Sequence, residues 1–432
     1  MMKMALWNGK TRSTVDRLIN DMWAKSDKII LSELQKELFR LGIIGKKIPK
    51  KSEKLINSVT FTQESIELDD RCFTNSYDLS YDTRDSLTLP SIRSRASPFA
   101  LYELFNNKNV VGAINAGFFY LVDECCQYPQ QAAYDLCIRD NQIFGLPLAD
   151  RAALLEVDFK LFTRKLNATG TISIDGKDFT WKGLKSHKNE GTDFILFNSS
   201  FCSVKHKECP KTGTKRILEE SSIYTPLDES ITDVLVGYDR ENLIIKRIKR
   251  GGLCNIFDGN FVLRFANNRN CCFKVGMKVK PKFVDGQNLD LVNSGITIGP
   301  SVYHFENNDD HEINHDTCHG SKKPTYSERK LAMSMIYEDM ANKIHLRIFD
   351  GVPAIENFTG ITAKEIGHII PRNETKWAYL LDPGQSSKMV VREGRSGVVA
   401  YGNALSSPPF FGQWFVNGLL VKSHPKFLWR HL

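Results

Sequence analysis

The chain has 432 residues, of which 41% are hydrophobic and 25% are charged, close to the average for globular proteins. Its length allows two or three domains, or one large domain with an appendage. No run of about eighteen apolar residues occurs, so no membrane span is predicted. The first residues also lack the apolar core of a secretory signal, and we predict a cytoplasmic protein.

The formal net charge of +8 raises the question of a nucleic-acid partner. Most basic residues are spread along the chain, and two clusters stand out, at residues 46–54 and 246–250. The second alternates with isoleucines and is typical of an exposed strand face, so nucleic acid is not the favoured partner. The ten cysteines include two adjacent pairs and no Cys-x-x-Cys spacing, which indicates no structural zinc site.

Two helices are predicted near the N-terminus. Ser13 and Asp16 resemble a capping box before an apolar face, and a second leucine-rich helix is stopped by Gly42. Two helices cannot bury a core alone. We therefore expect residues 1–55 to form a helical, Lys-rich extension that packs on the main domain or on a protein partner. A helix-turn-helix fragment is the alternative, but a recognition helix is missing.

A short helix is then predicted over residues 97–106, with Ser97 as N-cap and Pro98 at the first helical position. The strand that follows ends in Asn115. Gly117 allows a close approach of the backbone, and the two phenylalanines after it are suited to wall a cavity. This order of elements favours a polar group at the mouth of a pocket.

Strand-like runs dominate from residue 155 to 300, and a polar segment follows them. His311, His315 and His319 are spaced four apart, which on a helix would place them on one face, where a divalent metal could bind. The Asn and Asp residues before them favour a polar loop instead. A loop that gates access to a substrate is the intermediate interpretation. We predict no cofactor, and the metal stays an alternative.

The most informative stretch runs from residue 380 to 391. An apolar run leads to Asp382, a tight turn with Gly384 and the hydroxyls of Ser386 and Ser387, and a second apolar run follows. Such a strand end holds a carboxylate and hydroxyls in fixed relation at the mouth of a pocket. Asp-Pro-Gly also makes ordinary hairpin turns, which is the simpler alternative.

Together, the strand end at Asn115 and the turn after Asp382 resemble the phosphodiester glycosidase family. In that family, segments of the types Asn-Gly-Gly-Phe-Phe and Leu-Asp-Gly-Gly-Gly-Ser-Ser-Thr frame the active site. Further segments are similar to family segments in the same order, and they begin at Ile256, Phe273, Ser294, Arg329 and Phe358. The resemblance implies a phosphodiester glycosidase-like domain over residues 60–425.

The chain departs from the family pattern after Asp382. In place of three glycines it has Pro383, Gly384 and Gln385, and Lys388 stands in place of the usual threonine. Proline removes an amide donor, so any phosphate contact that the family makes through that amide is lost. The resemblance therefore supports a pocket at this location more strongly than an unchanged substrate.

The resemblance implies hydrolysis of a glycosidic bond to phosphate, in a sugar phosphodiester or nucleotide-sugar-like substrate. This reaction needs a carboxylate at the sugar and a positive group at the phosphate. We assign Asp382 to the anomeric carbon or the attacking water, Asp350 as the second carboxylate, and Arg329 to the phosphate. The expected substrate-binding residues are Asn115, Gly117, Gly384, Ser386, Ser387 and Asn403.

The predicted fold class is α+β, with a mixed, mainly antiparallel sheet core flanked by helices and a small N-terminal helical extension. A further helix is expected over residues 362–370. If the resemblance holds, the residues that line one cleft include Asn115, Arg329, Asp350, Asp382 and Ser386. Two alternatives to an enzyme stay open. One is a non-catalytic sugar-phosphate binding protein, and the other is an interaction factor that acts through the extension.

Overall fold

The computed structural model describes residues 36–37, 39–42, 44–68, 71–99, 104–105, 107–117, 119–120, 132–133, 136–147, 151–166, 169–182, 193–198, 202–208, 215–221, 224–256, 259–267, 272–283, 289, 291–303, 330–352, 355–393, 397–402 and 415–424. Most of the predicted N-terminal helical region lies outside these residues. Residues 36–37 and 39–40 are helical.

The described chain is built almost entirely of strands. The first nine are β1 (Lys51–Ile56), β2 (Val59–Glu67), β3 (Phe73–Asp82), β4 (Thr88–Phe99), β5 (Val110–Asn115), β6 (Phe119–Tyr120), β7 (Ala132–Ala133), β8 (Cys137–Arg139) and β9 (Gln142–Gly145). The next nine are β10 (Arg151–Val157), β11 (Lys160–Leu166), β12 (Thr169–Ile174), β13 (Lys177–Lys182), β14 (Ile195–Asn198), β15 (Cys202–Glu208), β16 (Lys215–Ser221), β17 (Ile231–Asp239) and β18 (Asn242–Arg250). The last nine are β19 (Phe261–Ala266), β20 (Val279–Phe283), β21 (Ser294–Thr297), β22 (Met333–Asp339), β23 (Lys343–Phe349), β24 (Thr375–Leu380), β25 (Lys388–Glu393), β26 (Gly397–Gly402) and β27 (Phe415–Ser423). The helix α1 spans Ala363–Ile369, and short 3-10 turns span Glu356–Phe358, Arg372–Glu374 and Gly384–Ser386.

The α+β prediction is wrong, because the described fold is mainly β. Five antiparallel sheets of three or more strands make up the described part, and α1 is a single seven-residue helix beside them. The helices that were expected to flank the sheet are replaced by further sheets. Sheets cover one another here, which buries the same apolar faces without helices.

The predicted helix over residues 97–106 is wrong at its start, since Ser97 and Pro98 lie in β4. β4 is the outermost strand of its sheet, where a proline breaks no internal ladder. A Ser-Pro pair therefore fits an edge strand as well as a helix start.

The predicted helix over residues 362–370 is confirmed. The Glu365 amide donates to Thr362 Oγ1 at 3.1 Å, and the Thr362 amide donates to the Glu365 carboxylate at 2.7 Å. This reciprocal pair is a capping box, which fixes the start of α1. Ala363 and Ile366 then face a core that they share with Met335 of β22.

Two sheets carry the expected site residues. Sheet I has the strand order β1-β2-β3-β23-β22-β24, and sheet II has the order β26-β25-β5-β27-β4. Their facing sides share one core, with Leu79 and Ile348 from sheet I and Ile114 from sheet II among its members. Gly112 lets the sheets approach closely, since a Cβ there would lie 2.2 Å from Leu79 Cδ2.

A third sheet, β11-β10-β21-β8-β9, joins this core to a second one. In β10, Leu154 belongs to the first core and Leu155 to the second. The nearly unbroken apolar sequence of β10 fits a strand that is buried on both faces. The three-stranded sheet β13-β12-β20 and the four-stranded sheet β14-β19-β17-β18 complete the second core.

The end of the expected extension joins sheet I, because β1 begins at Lys51 and pairs with β2. The division into residues 1–55 and 60–425 stays a prediction. Within the described ranges, no helix is both long and apolar enough to cross a membrane.

Candidate functional site

Strand ends from both sheets meet at one edge of the fold, hereafter the strand-end edge. Because neighbouring strands are antiparallel, β5, β23, β24 and β26 end there, and β3, β22, β25 and β27 begin there. Gly117 lies two residues beyond β5. Six further expected residues lie at this edge, namely Asn115, Asp350, Asp382, Gly384, Ser386 and Ser387.

The chain crosses from sheet I to sheet II in the turn after Asp382. β24 belongs to sheet I and β25 to sheet II, so this turn is not the hairpin that Asp-Pro-Gly also allowed. Gly384 has φ +70°, which glycine adopts without strain. Its amide donates to the Ala332 carbonyl at 2.7 Å, and the Asp382 amide donates to the Ala116 carbonyl at 2.9 Å. Ala332 precedes β22 and Ala116 follows β5, so these bonds fix the turn against both sheets.

Asn115 is fully buried at the end of β5 and binds this turn. Its Nδ2 donates to the Asp382 carbonyl oxygen at 2.8 Å. Its Oδ1 accepts from Ser334 Oγ at 2.8 Å and from the Lys388 amide at 3.1 Å. Asn115 therefore ties sheet II to the turn and to β22, which is a positioning role. Its expected contact with substrate stays a prediction.

Asp350 follows β23 at the same edge. Its amide donates to the Asn75 carbonyl at 2.8 Å, and its own carbonyl accepts from Thr74 Oγ1 at 2.7 Å. Burial raises the pKa of its carboxyl to about 7, although the Gly351 amide, 2.8 Å from Oδ1, acts in the opposite direction. The residue as a whole stays partly open to solvent. A carboxyl with a pKa raised to about 7 can hold a proton near neutral pH and donate it to a ligand.

Near Asp350 lies a tyrosine that was not predicted from the sequence. Tyr77 lies on β3, two positions after Asn75 and therefore on the same face of the strand. Burial and the nearby charge of Asp350 both raise the pKa of Tyr77, which places its phenol within electrostatic reach of that carboxyl. The Tyr77 ring packs on Tyr401 with 4.9 Å between centroids. The one available signal was the alternation of Asn75 and Tyr77 within β3.

Ser387 and Lys388 are buried where the turn enters β25. Lys388 is 3% exposed, and burial lowers the pKa of its amine to about 7. Ser387 is 0% exposed, and its Oγ makes no hydrogen bond in the described part of the fold. A buried hydroxyl without a partner is uncommon in native proteins. In the sequence, Lys388 stood out only as a departure from the family pattern, whereas its burial in the fold disfavours the charged form.

Arg329, Asn403 and the histidines of the alternative metal site, His311, His315 and His319, lie outside the described residues. Their roles stay predictions. Across the described ranges, no group of three or more His, Cys, Asp or Glu side chains is placed to hold a metal ion.

The strand-end edge brings two carboxyl groups into different environments. Asp350 is held deep at the end of β23, whereas Asp382 lies in a partly exposed turn. Different environments are how proteins separate the acid from the base in a pair of carboxyl groups. A protonated Asp350 can donate a hydrogen bond to an anionic ligand without repelling it.

No family model and no curated protein matches the sequence. Among solved structures, a hypothetical protein from Synechocystis matches with a TM-score of 0.57 and 13% identity, over 87% of this chain and 64% of that one. This chain thus spans less than two thirds of its length. A candidate exported protein from Burkholderia pseudomallei matches with a TM-score of 0.55 and 13% identity, over 81% of this chain and 74% of that one. At such identities these two matches show the fold alone.

A third structure is the catalytic domain of zebrafish N-acetylglucosamine-1-phosphodiester alpha-N-acetylglucosaminidase, auto-inhibited by its pro-peptide. It covers 87% of this chain and 88% of its own, with 10% identity and a TM-score of 0.35. A TM-score of that size carries no argument about fold or activity.

Proposed function

We propose that the chain is a phosphodiester glycosidase-like hydrolase, which cleaves the bond between a sugar and phosphate in a sugar phosphodiester or nucleotide-sugar-like substrate. The observation that carries the proposal is the partly open Asp350, whose pKa is about 7, at the same strand-end edge as Asp382. The sequence resemblance at Asn115 and at the turn after Asp382 supports the same region.

In the proposed reaction, Asp382 accepts a proton from water as the water oxygen attacks the anomeric carbon. The bond from that carbon to the phosphate oxygen breaks, and its electron pair leaves with the phosphate. Asp350, about half protonated at pH 7, donates a hydrogen bond or its proton to the departing oxygen. Free sugar and a phosphomonoester result, and Arg329 is proposed to bind the phosphate.

A neutral Asp350 suits this substrate for an electrostatic reason. A phosphodiester carries a negative charge, and two ionised carboxylates beside it would oppose binding. Burial keeps the proton on Asp350 up to a pH of about 7 and so removes one of the two repulsions. The same proton provides the donor that a leaving phosphate oxygen can use.

The proposal is tested by the release of free sugar from a panel of sugar phosphodiesters and nucleotide sugars. Wild-type protein is expected to release sugar from at least one of them. Asp382→Asn keeps the shape of the side chain and removes its charge, and we expect turnover to fall by about 10³-fold or more while sugar-phosphate binding is kept. Asp178→Asn, at an exposed position of β13 in another sheet, is the matched control and should keep full turnover.

A non-catalytic sugar-phosphate binder is the second candidate, and one observation favours it. The amides of Asp382, Gly384, Ser387 and Lys388 all donate to acceptors of the protein itself, and Pro383 has no amide hydrogen. These amides are therefore not available to stabilise charge on a reacting phosphate. Wild-type protein that binds sugar phosphates but leaves the whole panel intact would select the binder over the enzyme.

A further inference from the structure

The segment that leads into sheet I, residues 44–48, packs against the loop that begins at Asp350. A Cβ on Gly45 would lie 3.4 Å from Phe358 Cδ1, so the backbone of the segment lies close to that ring. The Phe358 carbonyl accepts a hydrogen bond from the Val352 amide at 2.7 Å, which closes the loop directly after Asp350. The segment and the loop therefore share one packed contact.

A buried asparagine of β3, Asn75, binds the same segment through its side chain. Asn75 is 4% exposed, and its Nδ2 donates to the Lys46 carbonyl at 2.9 Å. Its Oδ1 accepts from Ser65 Oγ at 2.6 Å, and Ser65 Oγ in turn accepts from the Ile48 amide at 2.7 Å. The side chain of Asn75 is thus connected to the segment at two places, directly and through Ser65.

The same asparagine also reaches Asp350. The Asp350 amide donates to the Asn75 carbonyl at 2.8 Å. Both residues also affect the phenol of Tyr77, since the Asn75 side chain lowers its pKa and the charge of Asp350 raises it. One residue therefore connects the segment before sheet I to the backbone and to the surroundings of the Asp350 carboxyl.

We propose that Asn75 is a positioning residue of the candidate site, and that through it residues 44–48 hold Asp350 in its buried place. The proposal deepens the proposed function, on which it rests for the role of Asp350. The strand pairing of β3 needs only the backbone of Asn75, so a valine would serve the sheet equally well. The amide side chain is explained by its contacts to Lys46 and Ser65. A displacement of residues 44–48 would then also displace Asp350.

The test is a carbon-13 NMR titration of the Asp350 carboxyl in the full chain without substrate. In Asn75→Ala the segment loses its bond and water enters beside Asp350, so the pKa should fall by about one pH unit, a tenfold change in proton affinity. Ser65→Ala removes only the bridging hydroxyl and should lower the pKa in the same direction by a smaller amount. If Asn75→Ala does not fold, the Asp350 pKa in Ser65→Ala tests the proposal by itself.

The matched control is Asn260→Ala. Asn260, directly before β19, is 5% exposed and donates through Nδ2 to the Ile143 carbonyl at 2.9 Å, which is the same kind of bond outside sheet I. This variant should lose stability and leave the Asp350 pKa unchanged. A merely structural Asn75 would behave as Asn260 does.

An Asp350 pKa that stays within about 0.2 pH units of wild type in both Asn75→Ala and Ser65→Ala would overturn the proposal, whether or not the protein hydrolyses sugar phosphodiesters. A lowered pKa in a protein without any turnover would support the positioning role and count against the proposed hydrolase alone. In active protein, the loss of rate at high pH should begin about one pH unit lower in Asn75→Ala than in wild type.

Discussion

Asn115 and Asp382 are 267 positions apart in the sequence, and the Nδ2 of the first donates to the carbonyl oxygen of the second at 2.8 Å. The two motifs that first indicated a site are therefore joined by a direct hydrogen bond between sheet II and the turn that leaves sheet I. The bond fixes the backbone of Asp382.

Asn115→Ala should lower the free energy of unfolding by about 3 kcal/mol, because it leaves the Ser334 hydroxyl and the Lys388 amide without their buried acceptor. Urea unfolding followed by circular dichroism measures the change. Asn267→Ala is the control, since Asn267 makes similar bonds at an exposed site, and it should cost less than about 1 kcal/mol. Equal losses in the two variants would show that the Asn115 bonds do not hold the turn.

Asp350→Asn should change how stability depends on pH. The folded pKa of about 7 lies above the ordinary value near 4, so the folded state holds the proton more tightly and wild-type stability falls as pH rises from about 4 to 7. The Asn side chain has no proton to lose, so the stability of the variant should change less across this range than that of wild type, by roughly 1–2 kcal/mol after allowance for solvent screening. Urea midpoints at several pH values measure it. Parallel curves for the two proteins would contradict the burial of Asp350.

Lys388→Met should change how stability depends on pH in the alkaline range. The folded pKa of about 7 lies below the ordinary 10.5, so the unfolded state binds the proton more tightly and wild-type stability rises between about pH 7 and pH 10. The variant should lose this rise and be more stable at pH 7, by roughly 1–3 kcal/mol. Lys160→Met, at an exposed position of β11, is the control and should keep the rise. A wild-type curve that is flat from pH 7 to 10 would refute a neutral buried lysine.

Gly384→Ala separates backbone strain from function. Gly384 has φ +70° and nothing within 4 Å of the place for a Cβ, so the substitution strains the backbone by about 1 kcal/mol without a clash. Gly176, at φ +82° in the hairpin between β12 and β13, has the same open surroundings and is the matched control. Both alanine variants should lose similar stability, and only Gly384→Ala should lower sugar release. Equal activity in the two would place the chemistry elsewhere.

Local signals predicted the parts of the fold that local chemistry decides. The helix predicted over residues 362–370 is present, and the capping box of Thr362 and Glu365 that fixes its start lies within one turn of the chain. The Ser97–Pro98 signal misled because its meaning depends on whether the segment lies at a sheet edge. The prediction of the fold class was wrong for the same reason, because the sequence of a strand does not determine whether helices or further sheets cover it.

The site residues that lie in a sequence motif could be predicted, whereas those that strand order brings to the site could not. Asp382 and Asn115 stood out by their sequence surroundings. Tyr77 and Asn75 lie beside Asp350 only because β3 is the neighbour of β23 in sheet I, and no sequence pattern fixed that order. The pKa of Asp350 likewise follows from burial that many distant residues produce together.

The most direct test of the account is the pH dependence of sugar release in wild type and in Asp350→Asn, with the best substrate of the panel. A protonated Asp350 with pKa about 7 predicts a wild-type rate that declines tenfold for each pH unit above about 7. The variant should be slower by about 10²-fold or more and should lack this decline. A decline above pH 7 that persists unchanged in Asp350→Asn, at a rate close to that of wild type, would contradict the account.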